Sequence, residues 1–368
     1  MRRPPSYCAM QNISARHAQR GTHRADAPTL AVWQAARVNI AVIGLGLIGG
    51  SLMRALSAAG HRVLGFDADP ETRATARSAA ARVPAAQRWQ ITATIRDAAA
   101  DAELVVLAVP LPALDDVLDA LVASGYHGLI TDVTSVKGPV REAVAARLRR
   151  AANPLAGFVG GHPMAGKSAS GFASADPALF TGCAWVLCLD EQTGLDDWLT
   201  VAGLVTSLGA RVVPATSAEH DRAVAAISHV PHLLALALAA TAATDPLALT
   251  LAAGSFRDGT RVAGSRPELV AAMCGGNATA VLAALADVQD RLDEAAKALE
   301  GRDPLRAVRD WAQDGHAARR AWPPAPGRPE QVPVRVETLL RLGRAGGWIS
   351  EVAADRRTVT AFLPVEGA

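Results

Sequence analysis

The chain has 368 residues, half of them hydrophobic, with 37 basic and 35 acidic side chains. That length holds two domains and a sizeable core, and the balance excludes a collagen-like or wholly disordered chain. Residues 1–37 carry +5 of an overall charge of +2, which leaves the remainder at −3 and argues against a nucleic-acid partner.

Residues 1–37 are rich in Arg, Ala and Ser, a composition shared with organelle transit peptides. They show no amphipathic face and read as a disordered extension, or as the product of a start placed upstream of the true one. Residues 38–43 then form an apolar, partly β-branched run, as expected of a strand buried on both faces. Gly44-Leu45-Gly46-Leu47-Ile48-Gly49 follows and leads into a helical stretch at 51–59. In such a loop Gly44 allows the tight turn, Gly46 lets backbone approach a pyrophosphate, and Gly49 lets helix and strand pack closely. Leu47 and Ile48 belong to the same expected cofactor-binding loop, and the free N–H groups at the start of the helix would face the phosphates. A second apolar run, 62–66, ends in Asp67, placed to bond a ribose 2′-OH, so NAD is the expected cofactor. Arg73 and Arg77 follow on the next helix and leave some room for NADP.

Residues 103–110 read as another buried strand, ending at Val109-Pro110 on the cofactor side. A helix (114–123), a strand (129–133), a helix (139–150) and short strands at 158–161 and 184–189 come next. Alternation of this kind predicts a Rossmann-type, mostly parallel, doubly wound α/β sheet. Ligands bind beyond the carboxyl ends of such strands, which selects 44–51, 134–137 and 162–167. The dinucleotide-binding domain is expected to span 38–216.

After Val213 the period becomes helical: 217–243, 246–253, 267–274 and 278–300. These define an all-helical domain at 217–320, with more apolar surface than a small bundle can hide, which favours a homodimer. Residues 321–333 are a Pro-rich linker. The tail, 334–368, carries a short helix (336–342) and two β-like runs broken at Asp355-Arg356. It reads as part of a small regulatory module or as a tail packed on the body. Four cysteines show no metal spacing, so no metal is expected and the thiols read as reduced, in a cytoplasmic protein. No apolar run reaches the roughly 18–20 residues that span a bilayer, and the longest, 233–243, reads as a buried helix.

Three clusters carry chemistry. In Asp132-Val133-Thr134-Ser135-Val136-Lys137 a hydroxyl and an amine would face the nicotinamide end of the cofactor, or Ser and Thr would cap a helix. In Gly160-Gly161-His162-Pro163-Met164-Ala165-Gly166-Lys167 the histidine sits on a predicted loop, as a candidate acid or base. In Ser255-Phe256-Arg257-Asp258-Gly259-Thr260-Arg261 two arginines suit carboxylate binding, with a surface salt bridge as the plain alternative. The Gly259-Thr260 pair suggests a loop or helix start before Arg261. Ser228-His229-Val230-Pro231-His232 suggests a kinked helix.

Taken in order, GLGLIGGS, DVTSVK, GGHPMAG, SHVPH and FRDGTRVA resemble the prephenate/arogenate dehydrogenase family of tyrosine biosynthesis, over residues 38–320. The resemblance implies a Rossmann domain with a helical dimerisation domain, and NAD- or NADP-linked oxidative decarboxylation of prephenate to 4-hydroxyphenylpyruvate. It implies that His162 accepts a hydrogen bond or proton from the C4 hydroxyl, with Ser135 beside it. It places Arg261 on a substrate carboxylate, Arg257 as a second basic group, and His229 in the substrate pocket. Some members carry an acid after the HPxxG segment, where it could pair with the amino group of arogenate. Here Lys167 follows, which favours prephenate. A 3-hydroxyacid or imine-reducing dehydrogenase would want a lysine in the helical domain, whose only lysine is Lys297. A non-catalytic NAD-binding protein would not need His162, Ser135 and Arg261 together.

Overall fold

The computed structural model describes residues 37–147, 157–167 and 169–365. The expected N-terminal extension therefore lies outside the described residues, apart from Arg37. Fourteen α-helices run through the described residues. They are α1 (Leu47–Ala58), α2 (Pro70–Ala80), α3 (Ile95–Ala99), α4 (Leu114–Ser124), α5 (Gly138–Arg147), α6 (Leu195–Ser207), α7 (Ser217–Val224), α8 (Val230–Ala242), α9 (Pro246–Leu251), α10 (Gly254–Thr260), α11 (Pro267–Val270), α12 (Ala278–Glu300), α13 (Pro304–Arg320) and α14 (Val336–Arg344). The chain divides into two compact units. The first holds residues up to Ser217 together with Pro326–Pro364, and the second holds Ala218–Ala325 and the last residues.

The first unit is built on a parallel sheet of β1 (Asn39–Ile43), β2 (Arg62–Phe66), β3 (Gln90–Ile91), β4 (Leu104–Leu107), β5 (Leu129–Asp132) and β6 (Phe158–Val159). Its order is β3-β2-β1-β4-β5-β6, and every pairing is parallel. Successive side chains leave opposite faces of a strand. Ile40 and Val42 accordingly join one core with Leu52 and Leu56 of α1, while Ala41 and Ile43 join another with Leu118 and Leu121 of α4 and Val140 of α5. Helices on both faces make the sheet doubly wound. Because all strands run the same way, their carboxyl ends share one edge. The order reverses between β1 and β4, which is where a crevice opens in this class of sheet.

The single sheet expected from the sequence is in fact two. Strands β7 (Gly161–Pro163), β8 (Ala184–Cys188), β9 (Arg211–Ala215), β10 (Glu330–Pro333), β11 (Trp348–Val352) and β12 (Thr358–Phe362) form a second, mixed sheet in the order β10-β12-β11-β9-β8-β7. The run read as one strand at 158–161 is divided: Phe158 and Val159 pair with β5, and Gly161 begins the antiparallel pairing with β8.

The C-terminal segment belongs to this second sheet. The expected linker, 321–333, contains β10, and β11 pairs with β9 at Ile349–Val212. Burial explains the attachment: Ile349, Val359 and Leu339 share a core with Trp198 of α6 and Val212 of β9. The turn between β11 and β12 falls at Asp355-Arg356, where Arg356 adopts a φ of 57°.

In the second unit α7 and α8 are joined by a π turn, Ala225–His229, two residues before Pro231. A proline cannot donate to the ladder, and the wider turn accommodates that loss. A second π turn, Ala271–Gly275, precedes α12. Ser217–Ala242 is thus one continuous helical stretch, long and apolar enough by composition to cross a membrane. The expectation of a buried helix fails here: α8 buries Val230 and Ala235 but exposes Leu234 and Leu238. The small unit lacks the mass to cover that side. Helix α13, missed in the sequence reading, buries none of its residues.

Ile349 is fully buried where the C-terminal strands meet β9. Ile349→Ala should destabilise the first unit by about 2–5 kcal/mol, the usual cost of truncating a core side chain. Urea unfolding followed by tryptophan fluorescence measures this. An unchanged midpoint would mean that the C-terminal segment is a detachable tail.

Candidate active site

The carboxyl edge of the parallel sheet collects most of the residues singled out in the first unit. Gly44 leaves β1 with a φ of +95°, a conformation that disfavours a side chain, and a Cβ there would meet the Ala108 carbonyl oxygen at 2.4 Å. A Cβ on Gly49 would meet the Gly44 carbonyl oxygen at 1.9 Å, so helix α1 can approach β1 only with glycine at this position. Gly46 differs from both, because a Cβ there meets nothing within 4 Å. Open space above a backbone at a helix start is the shape a pyrophosphate needs.

Helix α1 has no side-chain cap and no acid in its first turn. Its first intrahelical bond runs from Gly50 N to Gly46 O at 2.9 Å, which leaves the amides of Leu47, Ile48 and Gly49 upstream of the ladder. Val109 lies beside the loop, with its Cγ1 3.0 Å from a Cβ built on Gly44, and Pro110 is exposed next to it. These residues fit a dinucleotide.

Asp67 lies at the tip of β2, where an acid was expected, but it also holds the loop itself. Its Oδ2 accepts from Leu45 N at 2.7 Å and its Oδ1 from Asp69 N at 2.9 Å. Each carboxylate oxygen has a second lone pair, so a ribose hydroxyl can still be accepted. Arg73 donates to the Asp67 and Ala68 carbonyl oxygens and stacks over Phe66.

Next along the edge, β5 ends in a buried polar cluster. Asp132 is fully buried and Lys137 is 1% exposed. The sequence suggested that the Lys137 amine faces the nicotinamide. Instead it turns inward, paired with Asp132 Oδ2 and donating to Thr134 Oγ1 at 3.1 Å and to the Gly161 carbonyl at 2.6 Å. Burial of an ammonium requires such complete pairing. Asp132 Oδ1 in turn accepts from Gly161 N at 3.0 Å. The same ion pair therefore holds both the N–H and the C=O of Gly161. A Cβ at Gly161 would strike the Asp132 carbonyl at 2.6 Å, so the close approach requires glycine.

His162 follows directly. It is a half-buried residue of strand β7, not of a loop as the flanking glycines suggested, and its backbone pairs with Val186. Ser135 is half-buried in the turn between Asp132 and Lys137. The Asp132–Lys137–Gly161 bonds therefore tie the Ser135 turn to the strand that carries His162. The sequence placed Asp132 in this cluster but gave it no role of its own. Its signal was an acid at a strand's carboxyl end, five residues before a lysine.

Lys167 pairs with Asp176 at 2.8 Å. The Lys167 ammonium, with the Ala178 amide, holds the Asp176 carboxyl below the usual range. Asp176 N also donates to Ser51 Oγ on α1 at 2.9 Å, so the loop after His162 packs on the cofactor helix. Cys188 is buried near Lys137, and burial pushes its thiol up to about 12, which keeps it protonated.

The remaining residues lie in the second unit. Arg257 is exposed in mid-α10, and Arg261 is exposed at the first position of the turn Arg261–Gly264. The Gly259-Thr260 pair thus closes a helix and does not form a loop. The turn packs against α8. His229 ends the π turn and is 1% exposed. Burial, and then the neighbouring His220, push its imidazole down to about 4.

Among the described residues no cluster of His, Cys, Asp or Glu could hold a metal. Residues 52–214 match the family model for the prephenate dehydrogenase nucleotide-binding domain, and residues 216–309 the model for the prephenate dehydrogenase dimerization domain. A prephenate dehydrogenase of Lactococcus lactis is 30% identical over 77% of each chain. A cyclohexadienyl dehydrogenase of Zymomonas mobilis is 32% identical over 67% of this chain and 83% of that one. The solved structure of a candidate prephenate dehydrogenase from Corynebacterium glutamicum is 36% identical, with a TM-score of 0.69, over 77% of this chain and 87% of that one.

The two loop glycines should respond differently to the same methyl group. Gly49→Ala should lower the melting temperature, because backbone must move from Gly44. Gly46→Ala should keep the melting temperature and raise the Michaelis constant for NAD. Thermal scans with and without NAD separate the two. Equal loss of stability in both variants would remove Gly46 from the cofactor site.

Proposed function

We propose that this chain, which belongs to the prephenate/arogenate dehydrogenase family, catalyses the NAD-linked oxidative decarboxylation of prephenate to 4-hydroxyphenylpyruvate. The observation that carries the proposal is the joining of His162 and the Ser135 turn through the buried Asp132–Lys137 pair, on the sheet edge that also bears the open glycine loop. A protein that only binds a dinucleotide has no use for that second arrangement.

NAD, when bound, supplies the hydride acceptor. The rest falls to side chains of this protein. His162 takes the proton of the C4 hydroxyl, and Ser135 bonds near the same oxygen. Arg261 holds a carboxylate in its planar fork, with Arg257 as a second cation. Loss of the ring carboxylate as carbon dioxide yields an aromatic ring, so positioning and charge placement suffice without a covalent intermediate.

Prephenate is favoured over arogenate by the loop after His162. Asp176 is the only acid in residues 163–176, and it is paired with Lys167. That loop therefore offers no uncompensated carboxylate to the amino group of arogenate. The proposed state is a homodimer formed through the second unit. The apolar side chains exposed there, among them Leu234, Leu238, Leu247 and Leu251, support it.

His162→Asn should lower turnover on prephenate by about 10²–10⁴-fold, the usual worth of a general base, and change prephenate binding much less. The pH profile of the unsubstituted enzyme should show a group that must be deprotonated, and the variant should lose it. A retained profile would take the proton-accepting role away from His162.

A further inference from the structure

The second unit contains a buried polar cluster whose hydrogen bonds determine where the protons lie. Asn277, the residue before α12, is buried and faces the π turn that ends in His229. Its Nδ2 donates to the Asp221 carbonyl oxygen at 2.7 Å. A carbonyl can only accept, so this end of the side chain is the amide nitrogen. The same nitrogen lies 3.3 Å from His229 Nδ1. Its two hydrogens are thus both committed, and the ring nitrogen facing it must be the bare one.

We propose that Asn277 is a positioning residue that locks His229 in the Nε2–H tautomer, so that the ring meets the substrate as an uncharged hydrogen-bond donor. The second half rests on the reading above that His229 lines the substrate site.

The surroundings agree. The charged and titratable groups acting on His229 are His220 and Asp221 from α7 and His232 from α8, and Cys274 Sγ donates to its carbonyl at 3.8 Å. Asp221 is the single acid of this set, and its Oδ1 already accepts from His220 Nδ1 at 2.8 Å. Burial outweighs what attraction remains, and His229 stays neutral through the neutral range. His232 differs at the same ring position, because its Nδ1 faces the Ser228 carbonyl oxygen at 2.8 Å, which can only accept, and so carries a proton. The two histidines of one short motif therefore differ at Nδ1, which donates in His232 and accepts in His229. A neutral donor at 229 leaves charge recognition to the arginines and keeps substrate binding insensitive to pH, so that pH dependence is left to His162.

Long-range proton–nitrogen NMR of protein labelled with ¹⁵N-histidine tests this directly, with His229 assigned by His229→Asn. The expected ring has a bare Nδ1 and a protonated Nε2 from about pH 6 to about pH 8. A protonated Nδ1, or a ring that titrates in that interval, overturns the proposal without any variant at 277. Asn277→Asp then replaces the donor by an acceptor. It should move the proton to Nδ1, raise the prephenate Michaelis constant about tenfold or more, and make that constant pH-dependent while the constant for NAD stays fixed. An unchanged tautomer in Asn277→Asp also overturns the proposal. A changed tautomer with an unchanged prephenate constant upholds the hold of Asn277 on the ring and overturns the substrate role of His229, which is the failure of the functional reading alone.

Discussion

The Asp132–Lys137 ion pair is the constraint on which the first unit depends. Two sheets of different strand direction must meet at the end of β5, and their backbones meet at Gly161. Neither sheet's own ladder satisfies the N–H and C=O of that glycine together, and buried peptide groups left unpaired are costly. The ion pair takes both, with Asp132 accepting the N–H and Lys137 donating to the C=O. Burying two charges gains little net stability when their partners are complete, but removing one leaves the other stranded at a cost of about 3–5 kcal/mol. The pair therefore fixes geometry more than it adds stability, and the geometry it fixes is that of the strand bearing His162.

A division of labour follows from this arrangement. The parallel sheet presents the glycine loop, Asp67 and the Ser135 turn on one edge. The second sheet brings His162 to that edge by way of Gly161. Its far side is completed by the C-terminal strands, so a segment distant in sequence supports the same sheet through β11, β9 and β8. The loop after His162 closes back on α1 through Asp176 and Ser51, which ties the candidate base to the cofactor helix by a second route.

Much of this was legible in the sequence wherever a pattern had one physical meaning. The apolar run, the three glycines and the acid at the end of the next run required strand, turn, helix and strand, and β1, α1 and β2 follow. The tail was legible locally, since a break at Asp355-Arg356 marks the turn between β11 and β12, but its partner was not. Pairing to β9 is a contact between residues more than a hundred positions apart, and no local period encodes it. Lys137 was misread because sequence shows that an amine is present but not which way it points. Only the short chain path from Asp132, with Gly161 close by, turns it inward. His162 was assigned to a loop because glycine and proline usually break strands, whereas here glycine is needed for close approach and proline ends an edge strand. The tautomer of His229 depends on Asn277, 48 residues away, and was equally invisible.

Parallel initial-rate measurements with prephenate and with arogenate, each in the presence of NAD, test the account most directly. The account predicts NADH formation with prephenate, matched mole for mole by carbon dioxide and 4-hydroxyphenylpyruvate, and a much lower catalytic efficiency with arogenate. Binding of NAD without turnover of prephenate, or a preference for arogenate, would contradict it.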